Sequence, residues 1–304
     1  MSFEVKILGS NSATPVFNRH QTSQLLQIEG RYFLIDCGES TQVQMLKYRI
    51  KSGKIDHIFI SHLHGDHFFG LIGLLSTLHL HGRTKDLYLF GPPGLDEIIT
   101  IQLKHSESNL NYKIIFKELA TKENQVILDL DNLTVSTIPL QHRIPCCGFL
   151  FKEKLKRRRI NKDLIPENLS LQNLALLKKG EDIIDAEGNP IENAKVTLPP
   201  KKSRSYAYCS DTIYDESIIP LIKNSDLLYH EATFLHDMHL RARETYHTTA
   251  LQAAQIAEKS GVAKLLIGHY SARYRDLTPF LEEARTVFPK TFLSIEGDTH
   301  SIDE

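Results

Sequence analysis

The sequence predicts an α/β protein: two mixed sheets packed face to face with helices outside, an αββα sandwich. Short apolar runs of strand length, separated by turns, fill the first half of the chain and resume at Ser205. Apolar segments of helical length stand between them, which neither an all-β nor an all-α architecture accommodates. With 304 residues, 41% hydrophobic and 24% charged, the chain is long enough to bury a large core and has the balance of an ordinary globular protein. One domain spanning 1–304, with an insertion at 153–203, is the expected organisation.

Phe3 to Leu8, Ser23 to Ile28 and Tyr32 to Ile35 are expected to form an opening β-meander separated by glycine turns. Ile55 to Ile60 is an apolar strand that runs into a polar turn. Gly70 to Leu78 is apolar at helical length, Leu87 to Phe90 is a short strand, and Gly91-Pro-Pro-Gly94 ends it before another helix. Strands recur near 113–117, 126–130, 133–140 and 147–151. After Ser205 the expected order is strand Tyr206 to Cys209, a helix near 215–223, strand Asp226 to Tyr229 and helix Thr248 to Lys259. Strand Lys264 to Gly268, helix Pro279 to Val287 and strand Phe292 to Ile295 complete it. The intervening segment holds a helix, Leu169 to Lys179, closed by Gly180, then a turn at Glu187 to Pro190 and an exit at Pro199 to Lys202. A connection of about fifty residues far exceeds ordinary loop lengths, so the segment reads as an arm with its own role.

Formal net charge is only −1, but it is unevenly spread: residues 152–204 hold 13 Lys or Arg against 8 Asp or Glu, and the remainder 23 against 29. Lys152, Lys154, Lys156, Arg157, Arg158, Arg159 and Lys162 crowd together with Glu153 the only acid among them. A solvated basic face and an anion-binding face are both open at this level. No run approaches the ~18 consecutive apolar residues of a membrane span. Met1-Ser-Phe-Glu-Val5 lacks a charged leader followed by an apolar core, so a cytoplasmic protein with no membrane partner is expected. Cys37, Cys146, Cys147 and Cys209 form no CxxC pair, and the adjacent pair is poorly placed for an unstrained bridge. Structural thiols in a reducing compartment are expected.

The chemistry concentrates in Ser61-His-Leu-His-Gly-Asp-His67, where His62, His64, Asp66 and His67 follow the apolar strand. Imidazole nitrogens and a carboxylate suit borderline ions such as Zn²⁺. Four side chains this close in sequence can converge from a turn, but not from a strand, whose side chains alternate faces. They also exceed the three protein ligands that a single open catalytic zinc takes, so the motif anticipates two metals. His142, Asp211 and His269 each follow an apolar strand. One such residue alone is an ordinary cap; three beside the motif read as further ligands.

These residues occur together with Leu8-Gly-Ser-Asn-Ser-Ala-Thr-Pro15, Gly91-Pro-Pro-Gly94, Ser210-Asp-Thr212, His230-Glu-Ala-Thr233, His247-Thr-Thr249 and His269-Tyr-Ser-Ala-Arg-Tyr274. On these motifs nearly the whole chain resembles the metallo-β-lactamase superfamily and, within it, the short form of the ribonuclease Z family of tRNA 3′-processing endonucleases. The resemblance implies a metallo-β-lactamase fold with an inserted basic arm and two Zn²⁺ per chain. His62, His64 and His142 would hold one ion, Asp66, His67 and His269 the other, and Asp211 would bridge them. Asp66 would also accept the attacking water's proton, while His247, oriented by Glu231, would protonate the departing 3′-oxygen. The implied products are a tRNA with a 3′-hydroxyl and a trailer with a 5′-phosphate.

The resemblance further implies a homodimer in which one subunit's arm grips the tRNA precursor cleaved by the other. Arg157, Arg158 and Arg159 would then contact phosphates. Arg273 and Tyr274, beside His269, look placed for phosphate contact or base stacking, with a tyrosine packed into a closing loop as the other reading. Two features depart from the family pattern. Ile165 to Gly180 is Leu-rich, with Pro166 its only proline, where a Gly-Pro-rich tip is common, and residues 9–12 read Gly-Ser-Asn-Ser where Gly-Thr-Gly is more usual. A phosphodiesterase of the same fold acting on small phosphodiesters would need the metal site but no arm. An RNA-binding protein with a dead metal site would need no full set of ligands.

Overall fold

Phe3, Val5 and Ile7 of the strand Phe3–Gly9 enter one buried cluster, whereas Leu8 enters another, so the strand is apolar on both faces and must be covered on both. The same division runs along its neighbours. Leu26, Phe33, Phe59 and Phe90 face one way and Leu25, Leu34, Ile58 and Leu89 the other. In the computed structural model, which describes residues 2–166, 169–185 and 187–303, this patterning yields two seven-stranded sheets. The first runs in the order Thr299–Ser301, Phe3–Gly9, Ser23–Ile28, Arg31–Ile35, Ile55–Phe59, Leu87–Gly91, Ile114–Glu118. The second runs Thr291–Leu293, Leu265–Gly268, Leu227–Glu231, Ser205–Cys209, Cys147–Glu153, Leu133–Pro139, Val126–Asp129.

The inner faces meet through aromatic side chains. Phe59 stacks on Phe90 at 4.7 Å and meets Phe151 of the other sheet edge-on at 5.4 Å. Outside the first sheet the helix Leu71–Leu80 buries Leu71, Leu74, Leu75 and Leu78, one stripe at helical spacing. Outside the second, Ala250–Ser260 buries Ala250, Ala253, Ala254 and Ala257, small residues that let helix and sheet approach closely. Its ends follow from sequence: Thr249 and Gln252 form a reciprocal capping box, and Gly261 takes the left-handed conformation (φ 64°) that closes the helix.

Arg31–Ile35, Ile55–Phe59 and Leu87–Gly91 run parallel, as do Ser205–Cys209, Leu227–Glu231 and Leu265–Gly268. The loops leaving their carboxyl ends hold most of the polar residues singled out above, the usual place for chemistry in such sheets.

The arm is an excursion between two antiparallel neighbours, Cys147–Glu153 and Ser205–Cys209, paired at Lys152 and Ser205. At its root a buried Arg204 forms a bidentate pair with Glu153 (Nη2–Oε1 2.6 Å, Nε–Oε2 3.0 Å). Leu171–Lys179 is the expected arm helix; the Ser170 hydroxyl accepts from Asn173 N–H and Gly180 (φ 101°) closes it. The arm also contains two short antiparallel strand pairs, Arg159–Ile160 with Thr197–Leu198 and Ile183–Ile184 with Pro190–Ile191. Leu177, Ile183 and Val196 are buried at its centre, so the Leu-rich sequence feeds a local core.

Several elements differ from expectation. The stretch after Ile55–Phe59 contains a one-turn helix, Gly65–Phe68, rather than a plain turn. Residues 215–223 form a 3₁₀ turn, Glu216–Ile218, and a short helix, Ile219–Ile222, because Pro220 can sit only in the first turn of a helix. Thr41–Lys47, His239–Glu244 and the edge strand Thr299–Ser301 were not anticipated; each is too short to show a period. Among the described residues no helix is long and apolar enough to cross a membrane. All four cysteines are free and buried, and burial pushes the Cys37 thiol up to about 12, which keeps it unreactive.

Candidate metal centre

The strand Ile55–Phe59 delivers Ser61 and His62 to its carboxyl end, and His64 caps the short helix that carries Asp66 and His67. His142 lies in the loop after Leu133–Pro139. Asp211 and His269 follow Ser205–Cys209 and Leu265–Gly268, both with left-handed backbones (φ 57° and 63°), as does Asp36 after Arg31–Ile35 (φ 54°). Non-glycine residues in this region cost about 1–3 kcal/mol each, and such strain gathers at functional sites. Gly38 is needed beside them, since a Cβ there would stand 2.5 Å from the carbonyl oxygen of Asp66.

All seven residues singled out as ligands converge. His64 Nδ1 lies 3.1 Å from His62 Nε2 and from His142 Nε2. His67 Nε2 lies 3.2 Å from His269 Nε2, and both lie 3.2 Å from Asp211 Oδ1. Asp211 Oδ2 faces the other group, 3.5 Å from His62 and 3.8 Å from His142, while Asp66 Oδ2 is 3.4 Å from His269 and 3.6 Å from His67. Ligand atoms about 2.0–2.1 Å from a tetrahedral zinc lie about 3.3–3.4 Å apart, within the range found here. Asp211 turns one oxygen toward each cluster.

Hydrogen bonds behind the ligands aim them. His67 Nδ1 meets Asp36 Oδ2 at 2.8 Å, His142 Nδ1 meets the Tyr246 carbonyl at 3.1 Å, and His269 Nδ1 meets Thr233 Oγ1 at 2.9 Å. Each contact places the proton on Nδ1 and leaves an Nε2 lone pair facing inward. His67 Nε2 and His269 Nε2, 3.2 Å apart, are too close for two facing lone pairs, so a proton or a metal ion must stand between them. Asp36 also accepts from Ser61 N–H and Oγ and from the Tyr208 hydroxyl of the opposite sheet, so one buried carboxylate ties the sheets to the centre.

The charges agree with this donor set. Burial and the neighbouring His62 pull His64 down to about 4; burial pulls His142 down to about 4 as well, and both remain neutral, as metal ligation requires. His67 is the exception: burial opposes its charge, but Asp211, Asp66 and Asp36 together raise it well above the ordinary range. Three carboxylates around one imidazole need positive charge, which a proton or a metal supplies. The residues therefore fit metal ions.

At the edge of the clusters Glu231 is fully buried and accepts from Thr212 N–H (2.9 Å), Thr248 N–H (3.2 Å), the Thr233 hydroxyl (2.6 Å) and His247 Nδ1 (2.9 Å). Burial disfavours the imidazolium, but the Glu231 carboxylate outweighs it and raises His247 to about 9. A ligand-capable atom of His247 lies within 4.8 Å of those of Asp211 and His269. The residue thus combines a bound proton with a place beside the clusters. Its neighbour His230 points elsewhere, buried with Nδ1 donating to the Glu231 carbonyl.

These groups open into a cleft of about 360 Å³, which Arg143 and an exposed Phe69 also line. The remaining candidate residues lie apart from it. Arg157 and Arg159 are exposed on the arm, Arg159 donating Nε–H to the Pro199 carbonyl at 3.1 Å, whereas Arg158 is half-buried and donates to Thr197 Oγ1 at 2.7 Å. Arg273 lies over the Phe234 ring, and Tyr274 packs edge-on against Phe280 with its hydroxyl accepting from Leu235 N–H. Asp36, Thr233 and Arg143 were not among the candidates. Asp36 follows the apolar run Phe33-Leu-Ile35 just as Asp211 and His269 follow theirs, so the same strand-end signal points to it.

Two clusters of histidines and carboxylates sharing one aspartate, at the strand ends of an αββα sandwich, define a metal-dependent enzyme of the metallo-β-lactamase fold. The metallo-β-lactamase fold protein YhfI from Bacillus subtilis shows that fold, with a TM-score of 0.69 at 20% identity over 99% of this chain and all of its own. A ribonuclease Z from Cytophaga hutchinsonii is 53% identical over 305 residues, covering all of this chain and 97% of the relative. The short form of human tRNase Z matches with a TM-score of 0.73 at 26% identity, over 99% of this chain and all of that one. The chain belongs to the ribonuclease Z family, and through residues 3–170, more than half its length, also to the family whose model is described as Anti-Pycsar protein Apyc1.

Proposed function

We propose that the protein is a zinc-dependent endoribonuclease that removes the 3′ trailer from tRNA precursors, leaving a 3′-hydroxyl on the tRNA and a 5′-phosphate on the trailer. The observation that carries this reading is the pair of clusters sharing Asp211 with the Glu231–His247 pair at their edge, in a member of the ribonuclease Z family.

His62, His64, His142 and Asp211 would hold one zinc, and Asp66, His67, His269 and Asp211 the other. Bound there, the ions would supply the charge that clamps the non-bridging phosphate oxygens and acidifies a water. Asp66, held by the Ala13 N–H at 2.7 Å, would be the carboxylate placed to take up a proton there. His247 spends Nδ1 on Glu231, which leaves its Nε2–H to protonate the departing 3′-oxygen. Thr233 links the two functions, since its hydroxyl accepts from His269 and donates to Glu231.

The arm supports RNA over small phosphodiesters as substrate, because a folded basic projection has no task on a substrate confined to the cleft. Its position also favours a homodimer. Cys147 N–H bonds Ser61 O beside the centre, and the arm leaves the far end of that strand, about 20 Å away at ~3.3 Å per residue. An arm so rooted grips RNA for a partner's centre more readily than for its own. Thr41–Lys47 and Leu71–Leu80, joined by Thr77 Oγ1 donating to Gln42 Oε1, leave Val43, Leu46 and Leu80 exposed, an apolar surface suited to a second copy. On the arm, Arg157 and Arg159 offer phosphate contacts, and Arg158 contributes mainly by holding the arm's shape. Four buried free thiols suit the cytoplasm.

His247→Ala tests the mechanism. Cleavage of a tRNA precursor should slow by about 10² to 10⁴ with metal content retained. A precursor with sulfur as the leaving atom, which needs little protonation, should recover most of the loss. Equal losses on both substrates would remove His247 from the acid role.

A further inference from the structure

A second cleft, about 510 Å³, opens beside the metal cleft between residues 139–146, Thr121 and Lys122, Asp215 and Ser217, and Tyr246. Arg143 lines both clefts and forms the ridge between them. It is exposed, and no hydrogen bond or ion pair among the described residues engages its guanidinium. An arginine with all its donors free on such a ridge suits a phosphate, which it can bind in a two-pronged fashion. Lys122 adds a second exposed cation to the lining. Asp215, the one carboxylate among the described residues lining this cleft, is engaged by the Gln141 amide and by Ser217. The lining therefore favours an anionic chain.

The direction of that chain follows from the site. Breaking the bond to the 3′-oxygen places the upstream nucleotide, which keeps that oxygen, on the His247 side. Tyr246 immediately precedes His247, is 40% exposed, lines the second cleft, and accepts from His142 through its carbonyl. The second cleft therefore adjoins the leaving-group side of the metal cleft.

We propose that the second cleft is the subsite for the nucleotides immediately upstream of the cleaved bond, with Arg143 binding the phosphate one nucleotide upstream. This rests on the RNA reading of the metal centre. Cleavage of unmodified precursor by the wild-type enzyme tests that reading separately.

The experiment pairs Arg143→Ala with a precursor carrying a neutral methylphosphonate at that upstream position. Each change alone should raise KM by about 10- to 100-fold, the worth of a charge-assisted contact. Combined, they should cost no more than either alone, since both remove the same contact. Arg143→Ala should also flatten the dependence of log kcat/KM on log salt by about one, and Arg143→Lys should keep the slope. Losses that multiply at the upstream phosphate would overturn the contact. Failure to multiply only at the phosphate joining the first two trailer nucleotides would overturn the direction assigned to the strand.

Discussion

Glu231→Gln removes one charge with almost no change in volume, which isolates what the carboxylate does for His247. Burial lowers the His247 imidazole and Glu231 is the largest influence raising it, so the variant should fall from about 9 to its ordinary 6.5 or below. At pH 8 a group titrating at 9 is about 90% protonated and one at 6.5 about 3%, so a reaction limited by this acid should lose about 30-fold. The gap should narrow toward pH 6. In sign, activity is supported below about pH 9 and lost as pH rises through that value, and the variant's basic limb moves down. The linked stability follows the same direction: binding the proton more tightly when folded, His247 contributes stability that is fully present below about 6.5 and lost as pH rises through about 9. Single-turnover cleavage of a tRNA precursor from pH 5.5 to 10 reads both limbs. An unchanged basic limb, or a loss equal at every pH, would refute the proton-holding role. It would leave Glu231 as a structural acceptor for Thr212 and Thr248.

Three further outcomes are expected. Asp211→Ala should lower zinc in both clusters below the two equivalents expected by elemental analysis of wild type; loss of one ion alone would remove the bridging role. Asp36→Asn should weaken metal binding by about 10- to 100-fold through misorientation of His67, measured by chelator competition, with the seven ligands intact. Arg157→Ala with Arg159→Ala should flatten the salt dependence of precursor binding by about two in slope, whereas Arg158→Ala should act chiefly by lowering arm stability, read by hydrogen exchange around Thr197.

The site's chemistry was legible because it is local: His62, His64, Asp66 and His67 fall within six residues, and the other candidate ligands follow apolar strands that declare themselves. The supporting residues were harder to see because their meaning is tertiary. Thr233 matters only because the chain brings Glu231, His247 and His269 around it, and Arg143 only because two clefts meet there. Tyr208 reads as a core aromatic until its hydroxyl is found on Asp36 of the opposite sheet. Long strands and the helices Leu71–Leu80 and Ala250–Ser260 carried enough period to be placed from sequence. The short strand pairs of the arm did not, since two-residue strands are fixed by pairing across the arm rather than by their own pattern.

The most direct measurement offers the zinc-loaded protein one tRNA precursor with a 3′ trailer and, in parallel, one cyclic mononucleotide, with product ends identified by mass spectrometry. A single cut at the base of the trailer, giving a tRNA ending in a 3′-hydroxyl and a trailer beginning with a 5′-phosphate, is the expected result. Hydrolysis of the cyclic nucleotide with the precursor left intact would contradict the assignment and make the small-phosphodiester reading the correct one.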